Sequence, residues 1–181
     1  PMQLLCVGTI TPRKGYDVLV EALEPLRDLD WRLTIAGPDD RDSETTAALR
    51  TQITAASLHD RITLSGVVVP ATLDRFYESA DVFIMPSLYE GYGMALGEAM
   101  ARGLPIICTT GGAAAETVPE GAAIKVAPGR SEFLTRALQN LLSDRKQRIR
   151  LADAAWEAGR KLPTWSETAR RVAAVIMGLK A

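Results

Sequence analysis

Short apolar runs bounded by turn residues alternate with longer segments whose apolar positions recur at helical spacing. Gln3–Gly8, Trp31–Ala36, Arg61–Ser65, Asp81–Met85, Pro105–Cys108 and Ala122–Val126 have the length and content of buried strands. Between them, Tyr16–Leu29 places Val18, Leu19, Ala22, Leu23 and Leu26 on one helical face, and Ser43–Ser57 reads as a polar surface helix. Ser43-x-x-Thr46 supplies a partial capping signal for it. Ala71–Ser79 follows Pro70, well placed near a helix start, and Met94–Arg102 is stopped by Gly103 and Pro105. Ser131–Ser143, Arg145–Arg160 and Trp165–Gly178 read as closing helices. This alternation predicts an α/β fold, a Rossmann-like doubly wound parallel sheet of about six strands with helices on both faces. No repeat, low-complexity tract or long linker interrupts it, so residues 1–181 read as one domain.

Composition adds little to that picture but excludes several classes. Hydrophobic residues make up 47% and charged residues 24%, an ordinary balance for a globular domain. The net charge of −1, with no basic stripe interleaved with aromatics, gives no reason to expect nucleic acid. Two cysteines, Cys6 and Cys108, lie in apolar strand-like runs and read as buried thiols in a reducing compartment. No signal peptide or eighteen-residue apolar span is present in the sequence.

Open parallel sheets bind ligands beyond the carboxyl ends of their strands. Glycines mark those ends here: Gly8, Gly37 and Gly66 close the first three strands, Pro86–Gly93 follows the fourth, and Thr109-Thr110-Gly111-Gly112 the fifth. Each glycine alone is a turn residue; together they outline a cleft rim.

The stretch Pro86-Ser-Leu-Tyr-Glu90-Gly91-Tyr92-Gly93-Met94 leads from a strand into a helix. Exposed amides at such a helix start, with the positive end of the macrodipole, seat a phosphate. Gly91 and Gly93 allow close approach of backbone to ligand. Glu98, little more than a turn inside the helix, and Glu90, on the loop, would reach hydroxyls on either side of that phosphate. A phosphate flanked by two hydroxyl-rich groups describes a sugar nucleotide. Arg13 and Lys14, after the first strand, offer a planar fork and a point charge suited to a diphosphate.

Glu90 and Glu98 fall within a P-S-x-x-E-G-x-G-x-x-x-x-E-A-M-A-x-G-x-P pattern. The chain thereby resembles the retaining glycosyltransferases of family 4, the group 1 transferases with the two-domain GT-B fold. The resemblance runs from the opening strand to the last helix and is most specific over Pro86–Pro105. It implies that this chain is the C-terminal, donor-binding half, without its N-terminal acceptor-binding domain. It implies a donor such as a UDP-sugar or GDP-sugar, no cofactor, and transfer of a hexosyl group with retention to an acceptor sugar, lipid or small molecule.

By that resemblance Glu98 accepts from the 2′- and 3′-hydroxyls of ribose, and Glu90 orients a sugar hydroxyl near the reacting carbon. The backbone amides of Tyr92, Gly93, Met94 and Ala95 cradle sugar hydroxyls and the distal phosphate. Gly8, Gly37, Gly66, Val67 and Val68 border the nucleotide, the two valines at its base. Lys14 matches a family lysine, but the family arginine position holds Thr9, a departure for which Arg13 is the candidate replacement. Lys14, Arg13 and the helix start would stabilise the departing diphosphate, so that no metal is needed. The resemblance further implies a cytoplasmic enzyme with possible peripheral membrane contact in its intact form.

Other features carry bland readings. Asp39-Asp40-Arg41-Asp42 contains D-x-D, read as a turn and helix N-cap. His59 stands without a neighbouring ligand. Glu116, after Gly111-Gly112, suits helix capping or donor contact equally. Val172, Ala173, Val175, Ile176 and Leu179 give the last helix an apolar face, by default packed on this domain's own core, although in two-domain relatives that helix crosses to the partner domain. Three alternatives stand beside the main reading: a nucleotide-sugar epimerase or phosphorylase of the same architecture, a non-catalytic nucleotide-binding module, and a dehydrogenase dinucleotide domain. The absence of G-x-G-x-x-G after the first strand counts heavily against the last.

Overall fold

Six parallel strands form one sheet in the order β3-β2-β1-β4-β5-β6 in the computed structural model, which describes residues 1–178. The strands are β1 (Met2–Val7), β2 (Trp31–Ala36), β3 (Ile62–Gly66), β4 (Val82–Met85), β5 (Ile106–Thr109) and β6 (Ala123–Val126). The helices are α1 (Tyr16–Leu23), α2 (Ser43–Ala55), α3 (Pro70–Ser79), α4 (Met94–Ala101), α5 (Ala114–Thr117), α6 (Ser131–Ser143), α7 (Arg145–Gly159) and α8 (Trp165–Gly178). The doubly wound sheet expected from the strand–helix alternation is therefore present.

Side chains alternate across the strands and feed two cores. Leu4, Cys6, Val82, Ile84 and Ile107 pack on one face with residues of α1, α2 and α6, including Leu19, Leu49 and Leu138. Leu5, Phe83, Met85, Ile106 and Cys108 pack on the other with Tyr77 of α3, Leu96 and Met100 of α4, and Ala155 of α7. Strands buried on both faces need continuous apolar runs, which is why the sequence shows short hydrophobic blocks rather than polar–apolar alternation. Cys6 and Cys108 lie on opposite faces of the sheet; both thiols are buried and free.

Local chemistry shifts some predicted boundaries. The helix expected over Tyr16–Leu29 ends at Leu23 and tightens into a 3-10 turn over Glu24–Leu26, because Pro25 has no N–H to donate to the preceding turn. The cap of α2 is Asp42, whose Oδ1 accepts from the Thr45 amide at 2.9 Å; the Ser43-x-x-Thr46 signal is not used. Thr46 instead donates its hydroxyl to the carbonyl of Asp39 at 2.8 Å.

The four-residue α5 and a 3-10 turn over Pro12–Lys14 are too short to leave a periodic signal. On α8, Val172, Val175, Ile176 and Met177 remain exposed, so this helix does not take the default of packing on the domain's own core. Leu179, read with that face, lies outside the described residues. No helix among the described residues is long and apolar enough to cross a membrane.

Candidate functional site

The sheet order reverses between β1 and β4: β1 pairs with β2 on one side and β4 on the other, and both later strands are added outward from β4. The two chain segments leaving these strands diverge, and the opening between them is where such sheets take ligands. Lys14 arrives from the β1 side and Glu90 from the β4 side.

Their charged atoms meet. Lys14 Nζ donates to Glu90 Oε2 at 2.6 Å, and both side chains are about 11% exposed. Arg13 Nη1 donates to the Tyr89 carbonyl at 2.9 Å and lies 3.5 Å from the same Glu90 oxygen. The Ser87 hydroxyl, fully buried, adds a contact at 3.4 Å. Burial alone would raise the Glu90 carboxyl, but the Lys14 hydrogen bond and charge, then Arg13, outweigh it and hold the group below its ordinary 4.5. Lys14 is thus a buried, paired cation, while Arg13 stays half-exposed. Two cations against one carboxylate leave this cluster with one unit of positive charge.

Backbone contacts hold this arrangement. The Leu88 amide donates to the Arg13 carbonyl at 2.8 Å, and a Cβ on Gly15 would lie 2.4 Å from the Pro86 carbonyl oxygen. Only glycine allows the turn after Lys14 to lie so close to the loop after β4. Further along, the Glu90 amide donates to Gly111 and the Glu90 carbonyl accepts from Ala113, tying the loop to the glycine pair after β5.

Immediately beyond, Gly93 is the residue before α4 and adopts a left-handed φ of 82°, so its glycine is required by backbone conformation. Gly91 differs: no atom lies within 4 Å of where its Cβ would stand, leaving an open approach to the loop. The Leu96 amide is already taken by the Gly93 carbonyl at 2.9 Å. The amides of Met94 and Ala95, in the first turn, have no partner within the helix.

A cleft of about 790 Å³ runs from Glu90, Tyr92 and Met94 along the outer side of α4, past Glu98 and Arg102, to Leu162. Glu98 is exposed along it, with Oε2 accepting from the Tyr77 hydroxyl at 2.7 Å. Tyr92 and Met94 project into solvent, at 61% and 63% exposure, at its mouth.

The other residues named from sequence fall around this centre. Gly8 closes β1, and a Cβ there would press on the Lys14 side chain at 3.1 Å. Gly37 follows β2 and Gly66 ends β3. Val67, 74% exposed on the loop after β3, lies at the same sheet edge but not in the ion cluster. Thr9 makes no link to Glu90; Arg13 makes that link instead. Glu116 is exposed in the first turn of α5, whose start has no side-chain cap bond. Of the D-x-D carboxylates, Asp42 caps α2 and Asp40 lies 3.8 Å from Arg41, while the preceding Asp39 is bound to Arg50 at 2.9 Å. His59 is exposed beside Asp60.

Ser87 and Tyr77 are contributors that sequence reasoning passed over. Tyr77 lies in the helix read over Ala71–Ser79 and is buried with the core on that face of the sheet. The signal that would have flagged it is that a buried phenol needs a hydrogen-bond partner.

The family described as "Glycosyl transferases group 1" matches residues 1–158. Over 97% of its length the chain is 32% identical to 47% of a GDP-mannose-dependent alpha-(1-6)-phosphatidylinositol monomannoside mannosyltransferase from Mycobacterium tuberculosis. Among solved structures, it superposes on sucrose-phosphate synthase from Thermosynechococcus elongatus with a TM-score of 0.87 and 29% identity, covering 98% of this chain and 45% of that one. It also matches the C-terminal domain of a glycosyl transferase group 1 family protein from Francisella tularensis, with TM-score 0.78 and 26% identity over 87% of this chain and 83% of that one. The chain spans less than half the length of the curated relatives it matches, 40% in one case and 47% in another.

Proposed function

The chain belongs to the group 1 glycosyl transferases, and from that premise we propose that it is the C-terminal, nucleotide-sugar-binding half of a family 4 retaining hexosyltransferase. The observation that carries this reading is the meeting of Lys14, Arg13 and Glu90 at the reversal of sheet order, next to the start of α4. A diphosphate placed there meets one uncompensated positive charge and the free amides of a helix N-terminus. Its length relative to the curated relatives, and its match to an isolated C-terminal domain, support assigning the acceptor site to a separate N-terminal domain.

In this reading the bond between the anomeric carbon and the diphosphate oxygen breaks, and the acceptor hydroxyl oxygen bonds to that carbon on the same face. The acceptor's proton passes to the departing diphosphate. Negative charge grows on the leaving group as the bond breaks, so donors already fixed around it lower the barrier. Lys14, Arg13 and the amides of Met94 and Ala95 fill that role without a metal. Glu90, held by Lys14 and Arg13, orients a hydroxyl of the donor sugar, and the amides of Tyr92 and Gly93 complete that cradle.

Glu98 accepts from the ribose hydroxyls, and Gly8, Gly37, Gly66, Val67 and Val68 border the nucleoside. The donor is a UDP-sugar or GDP-sugar. The relative whose name specifies GDP-mannose favours the second, and the acceptor is a sugar, lipid or small molecule. The intact enzyme works in the cytoplasm, with peripheral contact to a membrane where its acceptor is a lipid.

Thr9, in place of the family arginine, favours the alternative of a non-catalytic nucleotide-binding module. Arg13, which brings a guanidinium to the same loop, answers it. The test is calorimetric titration of the chain with UDP, GDP, ADP and TDP, repeated on Lys14→Ala and Glu98→Ala. Selective binding by one nucleotide, weakened in both variants, is expected. Binding unchanged in both would place the donor elsewhere, and the absence of any binding would count against a donor site in this chain.

A further inference from the structure

Glu98 lies exposed on α4, yet its carboxylate is not free to wander. Tyr77, only 1% exposed, donates its hydroxyl to Glu98 Oε2 at 2.7 Å. The tyrosine ring packs nearly parallel to Phe83 with centroids 5.8 Å apart, and the Arg102 guanidinium lies 4.5 Å from its centroid. Arg102 is itself held, by Asp74 at 2.6 Å and by the backbone carbonyl of Glu98 at 3.2 Å. The phenol therefore has little freedom. Burial, then the bond to Glu98, push its ionisation well above the ordinary range, so it stays a donor at any physiological pH.

A solvent-exposed glutamate on a helix samples several rotamers, and fixing it costs side-chain entropy. Tyr77 removes most of that freedom before a ligand arrives, which is the general route by which preorganisation raises affinity. A carboxylate has about four acceptor positions, so one bond from Tyr77 leaves capacity for two ligand hydroxyls. The placement of Tyr77 adds a second consequence. It belongs to α3, which begins directly after the exposed loop Val67–Val69. One hydrogen bond thus ties the element following β3 to the helix following β4.

We propose that Tyr77 is a positioning residue for donor recognition: it sets the Glu98 carboxylate for a vicinal diol, the 2′- and 3′-hydroxyls of a nucleoside diphosphate. The inference rests on the ribose reading of Glu98 given above. Tyr77 touches no ligand in this scheme; it acts only through Glu98.

The test measures binding of UDP and GDP against their 2′-deoxy and 2′,3′-dideoxy forms by wild-type chain, Tyr77→Phe and Glu98→Ala. Phenylalanine keeps the ring on Phe83 and beneath Arg102, so the melting temperature of Tyr77→Phe serves as a packing control. The expected result is that Tyr77→Phe weakens the ribonucleotide about tenfold while leaving the dideoxy form nearly unchanged. Glu98→Ala should abolish the preference altogether.

A tyrosine with a merely structural role would weaken both forms equally and leave the ratio unmoved. That ratio, undiminished in Tyr77→Phe but lost in Glu98→Ala, would overturn the inference while sparing the ribose reading. A preference that survives Glu98→Ala, or a wild-type chain that shows no preference or no binding, would overturn the ribose reading and this inference with it.

Discussion

Lys14 Nζ lies 2.6 Å from Glu90 Oε2, across the point where the order of the sheet reverses. The two residues are 76 apart in the chain and belong to segments that share no local structure. Their pairing fastens the turn after β1 to the loop that introduces α4. Both are largely shielded from water, so removing one leaves the other charge buried.

Lys14→Met should therefore destabilise the fold by about 3 kcal/mol, the usual cost of breaking a buried pair from one side. Arg13, at 3.5 Å, keeps the loss from being larger. Adding Glu90→Gln to that variant should restore part of the stability, because the stranded charge is gone. Urea unfolding of the two single variants and the double variant measures this. Equal stability of Lys14→Met and the double variant would show that no charge was stranded.

Acid should act through the same carboxylate. Glu90 is held below its ordinary 4.5, so between that value and its lower folded-state value the unfolded chain binds a proton that the native chain does not. Stability from this group is complete above about pH 5 and is lost as pH falls through and below 4.5. Melting temperature followed from pH 7 to about 3 should fall more steeply for wild type than for Glu90→Gln, which has nothing to titrate there. Parallel curves would mean that other carboxylates account for the acid loss.

The two glycines of the loop before α4 should separate by mechanism. Gly93→Ala places a Cβ at a φ of 82° and 2.9 Å from Leu96 Cδ1, a cost of about 1–3 kcal/mol that displaces the helix start. Gly91→Ala meets no neighbour within 4 Å and should change stability by less than about 0.5 kcal/mol. If a donor lies against the loop, Gly91→Ala will still weaken nucleotide-sugar binding severalfold while the melting temperature stays put. Full binding by this variant would remove Gly91 from the donor cradle.

The apolar blocks of the strands and the periodic faces of the helices were sufficient to specify a parallel, two-sided sheet. The central blocks, Val82–Met85 and Ile106–Thr109, are buried at every position, which is why they read as unbroken runs with little polar–apolar alternation. Glu90 and Glu98 could be singled out as candidates for a similar reason: their spacing runs along one loop and one helix, which the chain itself sets. Tertiary structure decided what no local spacing encodes. The reversal of sheet order brings Arg13 and Lys14 onto Glu90, so Lys14 is a buried ion-pair partner and not a solvated loop cation. Tyr77 reaches Glu98 only because α3 and α4 pack on the same face of the sheet; in sequence it is one more apolar position of a helix. Periodicity reports which side of an element is buried, whereas hydrogen-bond partners follow from how separate elements are stacked, and that is settled only when the chain has folded.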